Sequence, residues 1–211
     1  MDDAALLEAW TAGDLDAGSQ LFERNFESVA RFFRNKVDGP IDDLVQRTFL
    51  GCLEGRERVR GESGFRAYLF GVARNVLGKH WRSRMGGPTE VDLESESVVD
   101  LGGSLTSVYG RDRQQLTMLN ALRRIPVQSQ VVLELCYWES ATAAEIAVVL
   151  DIPLGTAKTR IRRARQLLSE QLAALASGRL AVRTTATRLE TWARGVRELP
   201  AEKRAPGRNP C

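Results

Sequence analysis

The sequence is poor in histidine and cysteine, on which metal sites, disulfides and many catalytic centres depend. Its 211 residues include one histidine, His80, and three cysteines, Cys52, Cys136 and Cys211. The cysteines are far apart and odd in number, which indicates neither a disulfide framework nor a zinc site. A single histidine also argues against a histidine-dependent catalytic triad. We therefore expect no metal, no cofactor and no enzymatic activity, with Cys52 and Cys136 as buried, inert thiols.

Long hydrophobic runs and alternating strand patterns are absent as well. No stretch approaches the ~18 consecutive apolar residues that a membrane-spanning helix requires. The opening Met1-Asp2-Asp3 lacks the basic start of a signal peptide. We therefore expect no membrane insertion and a cytoplasmic location. Apolar residues recur instead at three- and four-residue steps, which predicts an all-α fold.

Charge is distributed unevenly along the chain, although the formal net charge is only +3. Residues 1–50 carry ten acidic and five basic side chains, and residues 54–84 carry eight basic side chains against three acidic ones. Residues 88–112 are acidic, and basic side chains return at 158–165. Two separated basic blocks suggest two contacts with one polyanion, joined by a connector that the polyanion repels. Ordinary solvated surface charge is the alternative.

Breaker residues divide the helical patterns into two sets. Gly86-Gly87-Pro88 ends the first set, and the residues that follow, to about 108, are acidic and rich in glycine and serine. We predict two small helical domains, 1–87 and 111–176, joined by a flexible acidic linker at 88–110. Residues 177–211 form an extension that we expect to be partly helical and then disordered. The expected helices cover about 3–12, 17–37, 42–53, 65–84, 111–124, 127–138, 141–150 and 155–176.

A helix, a tight turn and a second helix are predicted between residues 142 and 165. Thr142 and Glu145 have the spacing of a capping box at the start of the first helix. Asp151 lies where the chain must leave that helix, and aspartate tolerates left-handed backbone better than most residues. Pro153 prevents the first helix from continuing. The segment has the form of a helix-turn-helix that reads the major groove of DNA.

The second helix of this motif, which Thr156 could cap, carries a row of basic side chains. Arginine near the start of such a helix pairs well with guanine edges, whereas other basic residues bind phosphate and position the protein. An amphipathic helical hairpin with a solvated basic face is the alternative. The inward stripe of the second helix is predicted to consist of Ile161, Ala164, Leu167 and Leu168.

Three segments together carry a family resemblance. Residues 42–50 read DDLVQRTFL, residues 58–75 read RVRGESGFRAYLFGVARN, and residues 154–164 read LGTAKTRIRRA. They are similar to D-L-V-Q-E-T-F, F-R-G-x-x-x-F-x-x-W-L-x-x-I-A-R-N and x-G-T-V-K-S-R-L-x-R-A. In this order and spacing, they resemble the extracytoplasmic-function (ECF) group of the bacterial sigma-70 family, the promoter-specificity subunits of RNA polymerase.

The resemblance implies three sets of contact residues. The set that would dock on the β′ coiled coil of the polymerase is Asp43, Gln46 and Thr48. The set that would bind the separated strand of the −10 element is Arg58, Arg60, Ser63, Tyr68, Asn75, Lys79 and Arg82. The set that would read the −35 element as duplex is Thr156, Lys158, Thr159, Arg160, Arg162 and Arg163.

The aromatic side chains at 68 and at 80–81 each have two possible roles. Tyr68 stands where the family usually has tryptophan, so its ring can contact DNA or belong to the core. His80 and Trp81 can stack on DNA or close the end of the core, and we favour the core for Trp81.

The function that the resemblance implies is recognition without catalysis. Such a protein binds core RNA polymerase at the β′ coiled coil and the β flap, and it directs promoter recognition, promoter opening and transcription initiation. Its implied partners are the polymerase, promoter DNA and an anti-sigma factor. The alternative is a helix-turn-helix regulator that binds duplex operators without being a polymerase subunit, but residues 42–50 and 58–75 favour the sigma factor. For 177–211, the alternatives are a helix packed on the second domain or a regulatory segment.

Overall fold

A computed structural model describes residues 3–55, 64–85, 92–102 and 113–175. Within these ranges the chain forms eight α-helices and no β-strand, with one isolated bridge between Ser97 and Pro126. The predicted all-α class is therefore confirmed. The helices are α1 (Asp3–Thr11), α2 (Leu15–Arg34), α3 (Asp42–Glu54), α4 (Gly64–Arg84), α5 (Arg113–Arg123), α6 (Val127–Tyr137), α7 (Ala143–Leu150) and α8 (Leu154–Leu175).

Helices α1 to α4 form the first unit around an aromatic core. The Asp14 carboxylate starts α2, because it accepts hydrogen bonds from the backbone N–H groups of Asp16 (2.9 Å) and Ala17 (3.0 Å). Trp10 is fully buried, and its ring meets Phe22 edge-on with a centroid distance of 5.4 Å. Helix α4 packs along α3 and closes this unit.

Helices α5 to α8 form the second unit, in which α7 and α8 make the predicted helix-turn-helix. Thr142 and Glu145 form the capping box: the Glu145 N–H donates to Thr142 Oγ1 (3.2 Å), and the Thr142 N–H donates to Glu145 Oε2 (2.7 Å). Asp151 ends α7 in the left-handed region, with φ 53° and ψ 54°. Both local predictions are confirmed.

The start of α8 differs from the prediction. The helix begins at Leu154, and the Ala157 N–H donates to the Pro153 carbonyl at 3.0 Å. Thr156 therefore lies inside the first turn and is not the cap. The turn after Asp151 is shorter than expected because Pro153, whose fixed φ suits the entry to a helix, lies immediately before the first helical residue.

The left-handed conformation of Asp151 gives a testable prediction. We expect Asp151→Gly to be more stable to unfolding than Asp151→Ala by about 1 kcal/mol, because a Cβ is penalised in this region and glycine has none. Both variants lose the same carboxylate, so the comparison isolates the backbone. Urea denaturation of the two variants measures the difference, and equal midpoints would contradict it.

The described part of the linker, residues 92–102, is folded rather than extended. Val98 and Leu101 are buried, and the Gln128 N–H at the start of α6 donates to the Leu93 carbonyl at 2.7 Å. The Asp100 carboxylate accepts from both the N–H (2.9 Å) and the hydroxyl (2.7 Å) of Ser97. The expected flexibility therefore does not extend to these residues, because apolar side chains among the acidic ones pack on the second unit.

The two units pack against each other, mainly through α4 and α7. Gly71 of α4 faces α7, and a Cβ at this position would make an ordinary van der Waals contact of 3.8 Å with the Val149 carbonyl oxygen. No helix within the described ranges is long and apolar enough to cross a membrane.

Candidate nucleic-acid interface

An open groove of about 940 Å³ runs between α3 and α4. Asn75 and Lys79 are exposed on its α4 side, one helical turn apart. The groove brings Asp43 of the implied docking set together with Tyr68, Asn75 and Lys79 of the implied −10 set. Its polar lining includes Asp43, Arg47, Glu54, Tyr68, Asn75, Lys79, His80, Ser83 and Arg84.

Tyr68 is half-buried at one end of this groove. Its hydroxyl lies 3.5 Å from the Gly51 carbonyl oxygen, and a side chain at Gly55 would collide with that hydroxyl. The ring therefore packs on the end of α3 while one edge faces the groove. Tyr68 therefore packs against the core and also lines the groove, and a contact of its ring with DNA stays a prediction.

The remaining residues of the implied −10 set are distributed differently. Arg82 is exposed on α4, but the groove lining does not include it, and its Nε donates to the Gly78 carbonyl at 3.3 Å. Arg58, Arg60 and Ser63 lie outside the described residues.

Two basic groove residues, Arg47 and Arg84, were missed at the sequence level, whereas His80 was considered there for stacking on DNA or for the core. The spacing could have indicated Arg84, because His80 and Arg84 follow Val76 at four-residue steps along α4. Burial lowers the pKa of His80, and the Arg84 and Arg47 guanidinium groups lower it further. The imidazole is therefore neutral near pH 7. Trp81 is fully buried, as expected for a core residue.

The three residues of the implied docking set lie on α3 and differ in their exposure to solvent. Asp43 and Gln46 are exposed, and Asp43 pairs with Arg47 at 2.9 Å. Thr48 is fully buried, and its hydroxyl donates to the Leu44 carbonyl at 2.8 Å. The assignment of Thr48 to a docking surface is therefore wrong. Thr48 lies four residues from both Leu44 and Cys52, which are also buried on this face of α3.

Beside Asp43 and Gln46 lies an apolar face that the sequence did not reveal. Phe26 of α2 and Leu50 and Leu53 of α3 are 48%, 48% and 41% exposed. The Phe26 and Phe49 rings are nearly parallel, at a centroid distance of 6.4 Å. Contiguous exposed apolar surface of this kind marks an interaction site. We call Phe22, Phe26, Val45, Phe49, Leu50 and Leu53 the apolar face.

Helix α8 presents most of the implied −35 set to solvent. The exposed members are Thr156, Lys158, Thr159, Arg162 and Arg163. Ala164 and Leu168 are buried on the opposite side, and Ile161 and Leu167 are half-buried, which confirms the predicted inward stripe. The Thr159 hydroxyl donates to the Gly155 carbonyl at 3.1 Å.

Arg160 differs from its neighbours on α8. Its Nη2 lies 2.7 Å from Glu94 Oε1 of the linker, and its side chain is 28% exposed. The linker therefore holds one arginine of the basic helix, while the others remain open to solvent.

Both helical units are similar to parts of known proteins. Residues 21–86 match the model of sigma-70 region 2, and residues 115–168 match the model of sigma-70 region 4. The chain is similar to the ECF RNA polymerase sigma-E factor of Haemophilus influenzae, with 27% identity over 82% of the chain and 96% of that protein. It is also similar to the RNA polymerase sigma factor HrpL of Pseudomonas syringae pv. syringae, with 27% identity over 72% of the chain and 85% of that protein.

A solved structure has a similar fold. CnrH, in complex with the cytosolic domain of CnrY, aligns with a TM-score of 0.60 and 23% identity over 82% of the chain and 97% of CnrH. This likeness concerns the fold alone.

Proposed function

Since the chain belongs to the ECF group of the sigma-70 family of RNA polymerase sigma factors, we propose that its two helical units read two elements of one promoter. The protein binds core RNA polymerase and directs promoter recognition, promoter opening and transcription initiation. The observation that carries the division of roles is the presence of two surfaces with exposed basic side chains, on two separately matched regions. One is the α3–α4 groove, where Lys79 and Arg84 stand beside polar and acidic groups, and the other is the exposed side of α8.

In this proposal α8 enters the major groove of the −35 element. Lys158, Thr159, Arg162 and Arg163 supply base or nearby phosphate contacts. Arginine can donate two hydrogen bonds to one guanine, whereas lysine suits phosphate as a point charge. The same set includes Thr156, in the first turn of α8, and Arg160. Arg160 must release its ion pair with Glu94 before it can bind DNA.

The α3–α4 groove receives the unpaired −10 strand. Asn75 offers an amide that can bond a base edge, Tyr68 offers one edge of an aromatic ring, and Lys79 offers charge for the backbone. Arg58, Arg60, Ser63 and Arg82 complete the proposed set. Because these contacts require an unpaired strand, their binding energy shifts the equilibrium toward the opened promoter. The polymerase performs the nucleotidyl transfer.

Polymerase docking is proposed for Asp43, Gln46 and the apolar face. An apolar surface beside a few polar groups suits a helical partner, and the β′ coiled coil is such a partner. Docking joins two weak DNA readers to one assembly, so that each raises the effective concentration of the other. The β flap is the proposed partner of the second unit.

Regulation and location complete the proposal. CnrH was solved with the cytosolic domain of CnrY, and we propose an anti-sigma partner for this chain also. We place the protein in the cytoplasm, where polymerase and promoters are found. The proposed domain limits, 1–87 and 111–176, correspond to the division of the chain into two helical units. The extension 177–211 lies outside the described residues.

Association with polymerase tests the proposal directly. Purified protein is mixed with core RNA polymerase and passed through a sizing column, and transcription is then measured on promoters identified by sequencing DNA that cross-links to the protein. We expect co-elution and specific initiation, neither of which core polymerase alone provides. Duplex binding without polymerase association would favour an operator-binding regulator instead.

The burial of Thr48 gives a second prediction. Thr48→Val keeps the shape of the side chain and removes a hydroxyl that bonds only within its own helix in the described structure. We expect its affinity for core polymerase to stay within about twofold of wild type, whereas Gln46→Ala, which alters an exposed docking residue, binds more weakly. Fluorescence titration with core polymerase measures both. A larger loss for Thr48→Val than for Gln46→Ala would restore Thr48 to the docking set.

A further inference from the structure

Two glycines of α3 close one end of the groove between α3 and α4. A Cβ at Gly51 would lie 2.9 Å from Cγ1 of Val72 on α4. One turn later, a Cβ at Gly55 would collide with the Tyr68 hydroxyl. The two helices therefore run antiparallel and approach closely here, and the exposed carboxylate of Glu54 lies at the same end. This end of the groove suits the ring of a base better than a phosphate, which the carboxylate would repel.

Arginines from both walls meet at the opposite end of the groove. Arg47 of α3 and Arg84 of α4 both line it, with His80 between them. Burial lowers the pKa of His80, and the Arg84 and Arg47 guanidinium groups lower it further. Each guanidinium therefore lies close enough to act on the same imidazole, although the two belong to different helices. We call Arg47 and Arg84 the arginine pair.

The bonding of Arg47 leaves most of its guanidinium open to a ligand. Its Nε lies 3.0 Å from Oδ1 and 2.9 Å from Oδ2 of Asp43, and the two side chains are 65% and 66% exposed. No described residue accepts a hydrogen bond from the two terminal nitrogens of Arg47. An ion pair this exposed adds little stability, whereas arginine binds phosphate through two parallel hydrogen bonds. Arg47 can therefore turn from Asp43 to a phosphate at little cost.

Arg84, the last residue of α4, is held at the groove by an aromatic ring. Its guanidinium carbon lies 5.7 Å from the centroid of the Trp81 ring, which is fully buried. A cation over an indole ring is attracted by the electrons of the ring. The end of a helix also favours a cation, because its last carbonyls carry partial negative charge. Arg84 is nevertheless exposed, so its charge is positioned and still accessible.

Arg47 lies on a different side of α3 from the apolar face. Gln46, Phe49 and Leu53 line the apolar face, whereas Arg47 lines the groove. Successive residues of a helix point in different directions, so α3 can present one side to a protein and another to DNA. A ligand on Arg47 therefore leaves the docking surface open.

We propose that the arginine pair forms a phosphate site for the unpaired −10 strand, so that α3 contacts DNA as well as polymerase. This inference rests on the proposed function, because the strand in the groove comes from there. One phosphodiester group lies between Arg47 and Arg84, and the nucleotides beyond it run along α4 toward Asn75 and Tyr68. The charge difference between the two ends of the groove thus sets the direction in which the strand lies.

Salt dependence of DNA binding is the first test. The holoenzyme is assembled from core polymerase and either the wild-type chain or Arg47→Gln, and its affinity for a promoter with a pre-opened −10 bubble is measured at several salt concentrations. We expect Arg47→Gln to lower the affinity roughly tenfold, as for a lost hydrogen bond to a charged group. The slope of log affinity against log salt concentration should become shallower by about 0.7, the value for one phosphate contact with a single strand.

Arg24→Gln is the matched control for this change. Arg24 of α2 pairs with Asp3 at 3.1 Å, with side chains 44% and 41% exposed, so the variant also removes an arginine from an exposed ion pair of the first unit. Arg24 does not line the groove. We expect wild-type affinity and slope for Arg24→Gln. A wild-type slope for Arg47→Gln, or an equal change for Arg24→Gln, would overturn the proposal.

Methylphosphonate linkages then locate the phosphate. Each phosphate of the −10 strand is replaced in turn by a methylphosphonate, which exchanges a charged oxygen for a methyl group. Arg47→Gln should lower the affinity on every oligonucleotide but one, on which the neutral linkage has already removed the contact. Arg84→Gln should spare the same oligonucleotide. A loss from Arg47→Gln at every position, or different spared positions for the two variants, would overturn a shared phosphate site.

Two further measurements separate this site from the other roles of the first unit. Circular dichroism and titration with core polymerase should both give wild-type values for Arg47→Gln. A lower affinity for polymerase, with wild-type binding of the bubble by the holoenzyme once formed, would assign Arg47 to docking and overturn the proposal. If the wild-type holoenzyme binds the bubble no more tightly than the duplex, the proposed −10 groove itself fails, whatever the arginine variants do.

Discussion

Arg163→Ala is expected to lower the affinity for duplex −35 DNA by roughly 5- to 150-fold, the range for loss of a bidentate arginine–base contact. Arg163 is exposed on α8, one residue before the buried Ala164, and no described residue forms an ion pair with it. Its removal should therefore leave the free energy of unfolding unchanged within about 0.5 kcal/mol. Fluorescence anisotropy on a promoter duplex, at one fixed salt concentration, measures the loss.

Two variants make this result specific. Arg165→Ala is the matched control, because it makes the same chemical change on the same helix, but the Arg165 guanidinium lies over the Tyr137 ring at 5.5 Å and faces α6. Arg163→Lys separates base reading from phosphate binding, since lysine keeps the charge and loses the paired donors. Equal losses for Arg163→Ala and Arg165→Ala would show that α8 contributes only general charge.

Local features of the fold were predictable because their causes lie within a few residues. The capping box of Thr142 and Glu145 depends on one turn of helix, and the left-handed Asp151 follows from the need to end α7 before Pro153. The start of α8 was placed one residue late, at 155, and its cap at Thr156, because Thr156 is a good cap in isolation, whereas Pro153 already allows the helix to begin at Leu154.

Site residues could be predicted only where the sequence showed which face of the helix they occupy. The periodicity that buries Leu44 and Cys52 also buries Thr48, so this error was visible in the sequence. The exposure of Phe26, Leu50 and Leu53 was not visible, because periodicity shows which residues are apolar and not which of them another helix covers. The acidic appearance of residues 92–102 concealed Val98 and Leu101, which fold that segment onto the second unit.

The buried ion pairs between the two units could not be predicted from the sequence. Lys36 and Glu134 are 98 residues apart, and Arg31 and Glu139 are 108 apart. A charged residue within a predicted helix is normally expected to face solvent, because charged side chains are seldom buried. Burial requires a partner of opposite charge, and a single sequence does not identify that partner. The three-dimensional packing of the two units supplies that partner.

Asn75→Ala is expected to lower the affinity for the unpaired −10 strand by roughly 5- to 150-fold, since an amide that bonds a base edge contributes about 1–3 kcal/mol. Initial binding to the closed duplex should change little, because the base edges that Asn75 would bond are paired and stacked in duplex DNA. The measurements are polymerase binding to a fully duplex promoter at low temperature and to the same promoter with a pre-opened −10 bubble.

Ser83→Ala is the control for this change, because Ser83 is exposed on the same helix and lines the same groove. An equal loss of affinity for the duplex promoter and for the bubble promoter would show that Asn75 contributes to DNA binding in general and not to binding of the unpaired strand. The expected selective loss has a further consequence, because a residue that binds only the opened strand contributes its whole binding energy to opening. Promoter opening by Asn75→Ala should therefore fall by the same factor as its affinity for the bubble, and the −35 contacts of α8 should leave that factor unchanged.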